Sequence, residues 1–362
     1  MIKKFFYIII GVVGALLSGC SNELQPEVED GLMPIRLSVS GTRVSAEAGM
    51  TRGNADATDF PHNGDIAVMA AKTKQSEANV DWSTSNLYLD MAATVGPKSS
   101  GKYPVALDPV QYWPFNADEY LRFAAYSPST AKKEGASTVL LMVTGNETAP
   151  FPDLLYSTPT PAYNKEAGNL KLTAFRHAMA RLVIKVIPVD QKGEEIQNYK
   201  NDDLKITQLD IETKVTTGDF DFLASTPAWN LTKPGDNAEY TTLYTLINIG
   251  GKTLPYDSSN SNQGGSDTGY YLLPATNDVN TVAFSRIVFT LKDNGYSYTY
   301  DYELDKFTTA DTGSVTLEMG KTTFLTIKVK VTDIETGGGD NVILYGTLKD
   351  WEYKGNSTVT IN

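Results

Sequence analysis

The 362-residue chain has one cysteine, Cys20, and two histidines, His62 and His177. One cysteine has no partner, so no disulfide can form within the chain. Stability has to come from core burial, which a chain of this size can supply. The histidines are far apart in sequence, and neither sits in a metal-ligand spacing such as HExxH. No GxSxG, P-loop or GxGxxG pattern is present, and the EF-hand spacing is absent. These absences point away from an enzyme, and no metal or cofactor is expected. Basic residues are scarce relative to acids: Lys and Arg total 31 against 43 Asp and Glu, for a net charge of −12. An acidic chain repels phosphate backbones, which argues against nucleic acid as a partner. The mostly apolar run Phe5–Leu17 is short for a spanning helix, which needs about 20 such residues. No stretch keeps a convincing 3.6-residue period over three turns, so a helical fold is not expected.

The N-terminus carries a different signal. Lys3 and Lys4 precede the apolar run, and Leu17-Ser18-Gly19-Cys20 closes it with small residues. A charged segment, an apolar segment and a small-residue cut site make a secretory leader over residues 1–19. The last four residues resemble a lipobox, which implies that the Cys20 thiol is acylated and that Cys20 becomes the new N-terminus. Loss of Lys3 and Lys4 with the leader makes the mature chain still more acidic. Residues 21–33 are polar and acidic with one proline, and read as a tether between lipid and folded body.

Tyrosine is abundant (20), and Gly (29) and Pro (17) are frequent. This composition favours strands and tight turns. The first clean strand is Ile35–Ser40, where Ile35, Leu37 and Val39 alternate with polar residues. A polar stretch follows with two Thr-Arg pairs, Thr42-Arg43 and Thr51-Arg52, before a second strand at Asp65–Ala71. More than about 20 structureless residues inside a compact domain usually signal function or disorder. Strands are expected at 86–91, 120–126, 138–143, 204–213, 242–249, 270–273, 283–291, 296–304 and 324–331, with two short ones at 338–344 and 358–361. The strongest signal lies in 171–187, and Asn294-Gly295 marks a hairpin. The Pro/Thr/Gly-rich segment 157–170 reads as a boundary, giving domains over 20–168 and 169–362. Many short strands with regular turns argue for an all-β chain of Greek-key β-sandwiches. Alternating acids such as Asp219/Asp221 and Asp301/Glu303/Asp305 read as solvent faces of strands.

Four segments together resemble the fimbrillin family of Bacteroidales, the pilins of type V pili. The first is the lipobox, one strand and a Thr-Arg loop, followed by Asn63-Gly64-Asp65-Ile66-Ala67-Val68. The second is Tyr112-Trp113-Pro114-Phe115 with Leu121-Arg122-Phe123-Ala124-Ala125-Tyr126-Ser127-Pro128. The third is Phe175-Arg176-His177-Ala178-Met179-Ala180-Arg181-Leu182. The fourth is Leu317-Glu318-Met319-Gly320-Lys321 with Leu348-Lys349-Asp350-Trp351. They run in family order across nearly the whole chain.

The resemblance implies two transthyretin-like sandwich domains, export as a lipoprotein, and residence at the outer membrane and cell surface. It further implies that an Arg-specific protease cuts a loop, at Arg52 or Arg43 here, and so releases the first strand with Ile35, Leu37 and Val39. Another pilin subunit then fills the groove by donor-strand exchange. Val342 and Leu344, or Val359 and Ile361, are the candidate donors. The competing expectation is an unprocessed pilus anchor, a tip adhesin or a glycan-binding surface lipoprotein. Exposed Trp82, Tyr112 and Trp113 would then stack on sugars, although core packing is the favoured reading of all three. His177 is read as structural.

Overall fold

The computed structural model describes residues 32–39, 65–77, 79–100, 102–134, 140–144, 153–213, 217–232, 242–259, 270–274, 286–293, 296–303, 317–331 and 342–350. Among these the fold is all-β, with no α-helix and a single 3-10 turn at Lys165–Ala167.

The strands of the first sheet are β1 (Arg36–Val39), β2 (Asp65–Thr73), β3 (Leu87–Val95), β4 (Tyr103–Leu107), β5 (Tyr120–Ser127), β8 (Leu155–Ser157), β9 (Asn169–Lys171) and β10 (Arg176–His177). Their spatial order is β10-β8-β5-β2-β3-β4-β1-β9. Flat, this sheet would hold its edges about 34 Å apart at the usual strand spacing. Yet edge strands β9 and β10 are joined by only residues 172–175. Extended chain of that length reaches no more than about 18 Å. The sheet therefore has to roll, and Leu172 and Phe175 of the link are buried in the core it encloses. Alternate residues line that core: Ile66, Val68 and Ala70 from β2, and Leu121, Phe123 and Ala125 from β5.

The second half forms a sandwich. One layer has the order β16-β11-β20-β21, built from β11 (Ala180–Val189), β16 (Tyr256–Asp257), β20 (Lys321–Lys330) and β21 (Val342–Asp350), with β17 (Tyr270–Leu272) also on β11. The other has the order β15-β12-β18-β19, from β12 (Lys205–Thr213), β15 (Thr242–Thr253), β18 (Arg286–Asp293) and β19 (Tyr296–Glu303). Leu182, Ile184 and Val186 of β11 face Ile287, Phe289 and Leu291 of β18 in one core. Strands β11 and β20 pair in parallel from Arg181↔Thr322 to Val189↔Lys330. Parallel neighbours need a crossover, and the β12–β19 layer supplies it. A bulge at Thr207 shifts the phase of β12, so the buried series runs Leu204, Ile206, then Leu209, Ile211. Gly251 of β15 lies opposite, at φ +64, where an added Cβ would come 3.1 Å from that of Lys205.

A fourth sheet joins the halves. Its strands are β6 (Lys132–Glu134), β7 (Leu140–Thr144), β13 (Thr217–Asp221) and β14 (Ala228–Thr232), in the order β14-β13-β7-β6. Strand β13 comes from the second half and pairs antiparallel with β7 of the first, from Thr217↔Thr144 to Asp221↔Leu140. Phe220 of β13 and Phe222 just after it pack with Ala67, Met69, Ala71, Ala124 and Tyr126. These belong to the face of β2 and β5 opposite their other core. Burial on both faces explains why β2 reads as one apolar run rather than an alternation.

Candidate functional site

The first strand is built into the rolled sheet, not laid on its edge. On one side β1 runs antiparallel to β4, with Leu37↔Val105 and Val39↔Tyr103. On the other it runs parallel to β9, with Arg36↔Asn169 and Ser38↔Lys171. Further bonds extend the ladder beyond the strand. The Ile35 N–H donates to the Gln111 carbonyl at 2.8 Å, and the Trp113 N–H donates to the Met33 carbonyl at 2.9 Å. The Leu172 N–H donates to the Ser38 carbonyl at 2.9 Å, and the Ser38 hydroxyl donates to the Leu170 carbonyl at 3.0 Å. Ile35, Leu37 and Val39 are 5%, 5% and 0% exposed and enter one core with Val105, Leu170 and Phe175. Each contributes roughly 1.5–3 kcal/mol by burial. Without β1 the core would open along a slot flanked by two ladder edges, β4 and β9.

Behind this slot, residues 175–182 run through all three cores. Phe175 belongs to the core that holds β1, Ala178 and Met179 to the core under β13, and Ala180 and Leu182 to the sandwich core. The Ala178 N–H donates to the Leu154 carbonyl at 2.8 Å, and its own carbonyl accepts from the Trp229 indole at 2.6 Å. The Met179 carbonyl accepts from the Gly320 N–H at 2.9 Å. Gly320 sits at φ +69, and an added Cβ would lie 3.3 Å from the His177 carbonyl. The His177 Nδ1 lies 2.7 Å from an Asp153 carboxylate oxygen, and both residues are buried. A carboxylate only accepts, so Nδ1 carries the proton. His177 thus ties the start of the junction to the segment before β8, a structural role. The apolar and small residues at 175–182 mark a site where two halves meet, which strand periodicity alone does not reveal.

The model of the fimbrillin-like family matches residues 42–351. The chain belongs to that family. As a fimbrillin-like protein it is of the fimbrial kind, and that family is not an enzymatic one. No curated protein matches it in sequence. Among solved structures it resembles a candidate cell adhesion protein of Bacteroides uniformis, at 14% identity and a TM-score of 0.52, over 90% of this chain and 100% of the other. The fimbrial anchor protein Mfa2 of Porphyromonas gingivalis is 9% identical with a TM-score of 0.37, over 88% and 98% of the two chains. The tip fimbrial protein Mfa3 of the same organism is 10% identical with a TM-score of 0.35, over 88% and 100%. The first of these likenesses shows a shared all-β sandwich fold.

In this fimbrillin-like chain Cys20, Arg43, Arg52, His62, Val359 and Ile361 lie outside the described residues. Val342 and Leu344 lie on β21, the outer strand of its layer, opposite Val329 and Ile327 of β20. Residues 169–177, just past the expected boundary, supply β9 and β10 to the first sheet. The aromatics offered as a sugar platform are packed inward. Trp82 and Trp113 are 8% and 3% exposed, and Trp113 meets Phe123 edge to face at 5.9 Å. Half-buried Tyr112 accepts at its carbonyl from the Tyr88 hydroxyl at 2.7 Å. Burial, and then the Glu119 charge, push the Tyr88 phenol up, which keeps it a donor. Asp301 is on a solvent face as expected, in a bidentate pair with Arg286 at 2.7 and 2.5 Å. Asp221 instead caps a turn, accepting from the Leu223 and Ala224 N–H groups. Among the described residues no group of three or more His, Cys, Asp or Glu could hold a metal ion.

Proposed function

We propose that this chain is a structural subunit of a cell-surface pilus, exported as a lipoprotein anchored in the outer membrane through Cys20. An Arg-specific protease cuts after Arg52 or Arg43, β1 leaves with the lipid, and a strand from another subunit takes its place. In this reading residues 20–168, together with β9 and β10 of residues 169–177, form the strand-accepting domain, and the rest of the chain to residue 362 is the domain that carries the candidate donors at 342–344 and 359–361.

The observation that carries the reading is the position of β1. It lies inside a sheet, between two other strands, and, with Ile35 just before it, adds three buried apolar side chains to the core. It also comes early in the chain, immediately before the polar stretch with both arginines. One cut in that stretch would therefore free a strand whose loss exposes both an apolar groove and two open ladders. Such a groove is an aggregation hazard unless another strand enters it. Main-chain bonds would give affinity, and alternate side chains would set the register.

Trypsin treatment of the native protein tests this. Cleavage should occur first in the 41–64 stretch, and the cut body should then run as a ladder of multimers on gels without full heating. N-terminal sequencing of the body should begin after Arg52 or Arg43. Arg43→Ala combined with Arg52→Ala should block both steps. Cys20→Ser should abolish uptake of labelled fatty acid. If the cut protein stays monomeric at high concentration, the chain is not a strand-exchanged stalk subunit, and an unprocessed anchor or tip role replaces it.

A further inference from the structure

Among the described residues only Met33, Val110, Phe115 and Tyr296 are large hydrophobics left exposed, and Phe115 stands out at 82%. Three of the four fall on two segments that meet at the start of β1. Residues 33–35 and 111–113 are joined there by the Pro34↔Tyr112 bridge and by the Trp113-to-Met33 and Ile35-to-Gln111 hydrogen bonds. The Phe115 ring is held outward and not tucked in. The Lys165 ammonium sits 5.8 Å from the ring centroid and donates to the Phe115 carbonyl at 3.1 Å. An apolar ring fixed in place at the end of a strand slot is a contact surface without a visible partner.

Strand polarity says what would cover it. A strand that reproduces the pairings of β1 runs antiparallel to β4 and parallel to β9. Its N-terminal side then lies at the 111–113 end. Val342 and Leu344, like Val359 and Ile361, come after strands β1–β20, so the folded body those strands build precedes the donated strand. The body of that subunit is thereby held at the end where Val110 and Phe115 sit. Removal of residues up to Arg52 also takes away Met33 and Ile35. The Trp113 N–H and the Gln111 carbonyl lose their partners beside the same ring.

We propose that Phe115, with Val110, is the docking contact for the body of an incoming second subunit, separate from the slot its strand fills. This rests on the strand-exchange reading above, and the experiment keeps the two apart. Trypsin-cut wild type, Phe115→Ser and Phe115→Leu are compared by sedimentation for self-assembly, and by titration with a synthetic peptide of residues 340–362. Phe115→Ser should assemble only at about 10- to 100-fold higher concentration, the value of one large apolar side chain. Phe115→Leu should assemble close to wild type, and all three should bind the peptide equally, which also shows that each is folded. Equal assembly of Phe115→Ser and wild type overturns the docking contact and leaves strand exchange standing. Peptide binding weakened in step with assembly overturns it too, because Phe115 would then belong to the slot. A peptide that binds none of the three overturns strand exchange itself, and the docking contact with it.

Discussion

Replacing Leu37 by Ala in the uncut chain is the sharpest probe of β1. Leu37 is 5% exposed, lies opposite Val105 on one side and Leu170 on the other, and packs in the core with both. Truncating a buried leucine costs about 2–5 kcal/mol, from lost transfer energy plus the cavity left behind. At about 1.4 kcal/mol per tenfold, that raises the population with β1 undocked by about 30- to 4,000-fold. Native-state hydrogen exchange reads this directly. The Ile35 N–H and the Leu172 N–H, whose acceptors are the Gln111 and Ser38 carbonyls, should exchange faster by that factor. Amides of β11, which lie in another core, should change far less. Ser38→Ala is the control: it removes the hydroxyl bond to Leu170 and should cost about 1 kcal/mol. A change below tenfold at Leu172, or an equal change throughout β11, would refute the reasoning. In the first case β9 does not depend on β1, and in the second β1 does not open by itself.

Gly218→Ala should lower the thermal midpoint, at a cost of about 1–3 kcal/mol, because the new Cβ would lie 2.8 Å from both Trp229 and Leu231 side-chain atoms; an unchanged midpoint in calorimetry would contradict this. Asp153→Ala removes the acceptor of a buried histidine N–H and should cost about 1–3 kcal/mol in denaturant unfolding, whereas Asp153→Asn should retain part of that. The hydrogen bonds from Arg286 hold the Asp301 carboxyl below its ordinary value of 3.8, so the pair stabilises the fold at neutral pH and the gain is lost as pH falls through the lowered value. The pair is half exposed, so the gain is under about 1 kcal/mol, and carboxyl NMR titration should show Arg286→Ala returning Asp301 towards 3.8. Burial, and then the Asp90 charge, push the Tyr126 phenol up to about 12, so ultraviolet titration should find it still protonated at pH 11 in the folded chain (about one unit below that value) and ionised there once unfolded.

The strands legible in the sequence are those with a long, regular pattern. Strand β1 showed itself through Ile35, Leu37 and Val39, and the β18–β19 hairpin through Asn294-Gly295, now seen as Asp293↔Tyr296 pairing. Strand β4 was missed because Tyr103–Leu107 is short and carries Pro104, which argues against an interior strand. The alternating Asp219 and Asp221 mark β13 as a strand, but neither its partners nor strand β14 is legible, because the apolar residues of both bury against another half of the chain. The alternation in β1 says that one face is buried, but not which strands flank it. Its parallel neighbour is the three-residue segment Asn-Leu-Lys, over 130 residues later, and nothing local announces that pairing. The exposed Phe115 was equally hidden, since its neighbours Trp113 and Pro114 are both buried.

The placement of β1 between two ladders has a mechanical consequence. A strand at an edge, pulled sideways, peels away one hydrogen bond after another. A strand bonded to β4 on one flank and β9 on the other, pulled along its own axis, loads both rows of bonds in shear, and they have to fail together. Whatever strand occupies this slot inherits that grip, so a fibre strung from such slots would carry tension through its weakest-looking joint, a stretch of four residues, without unzipping.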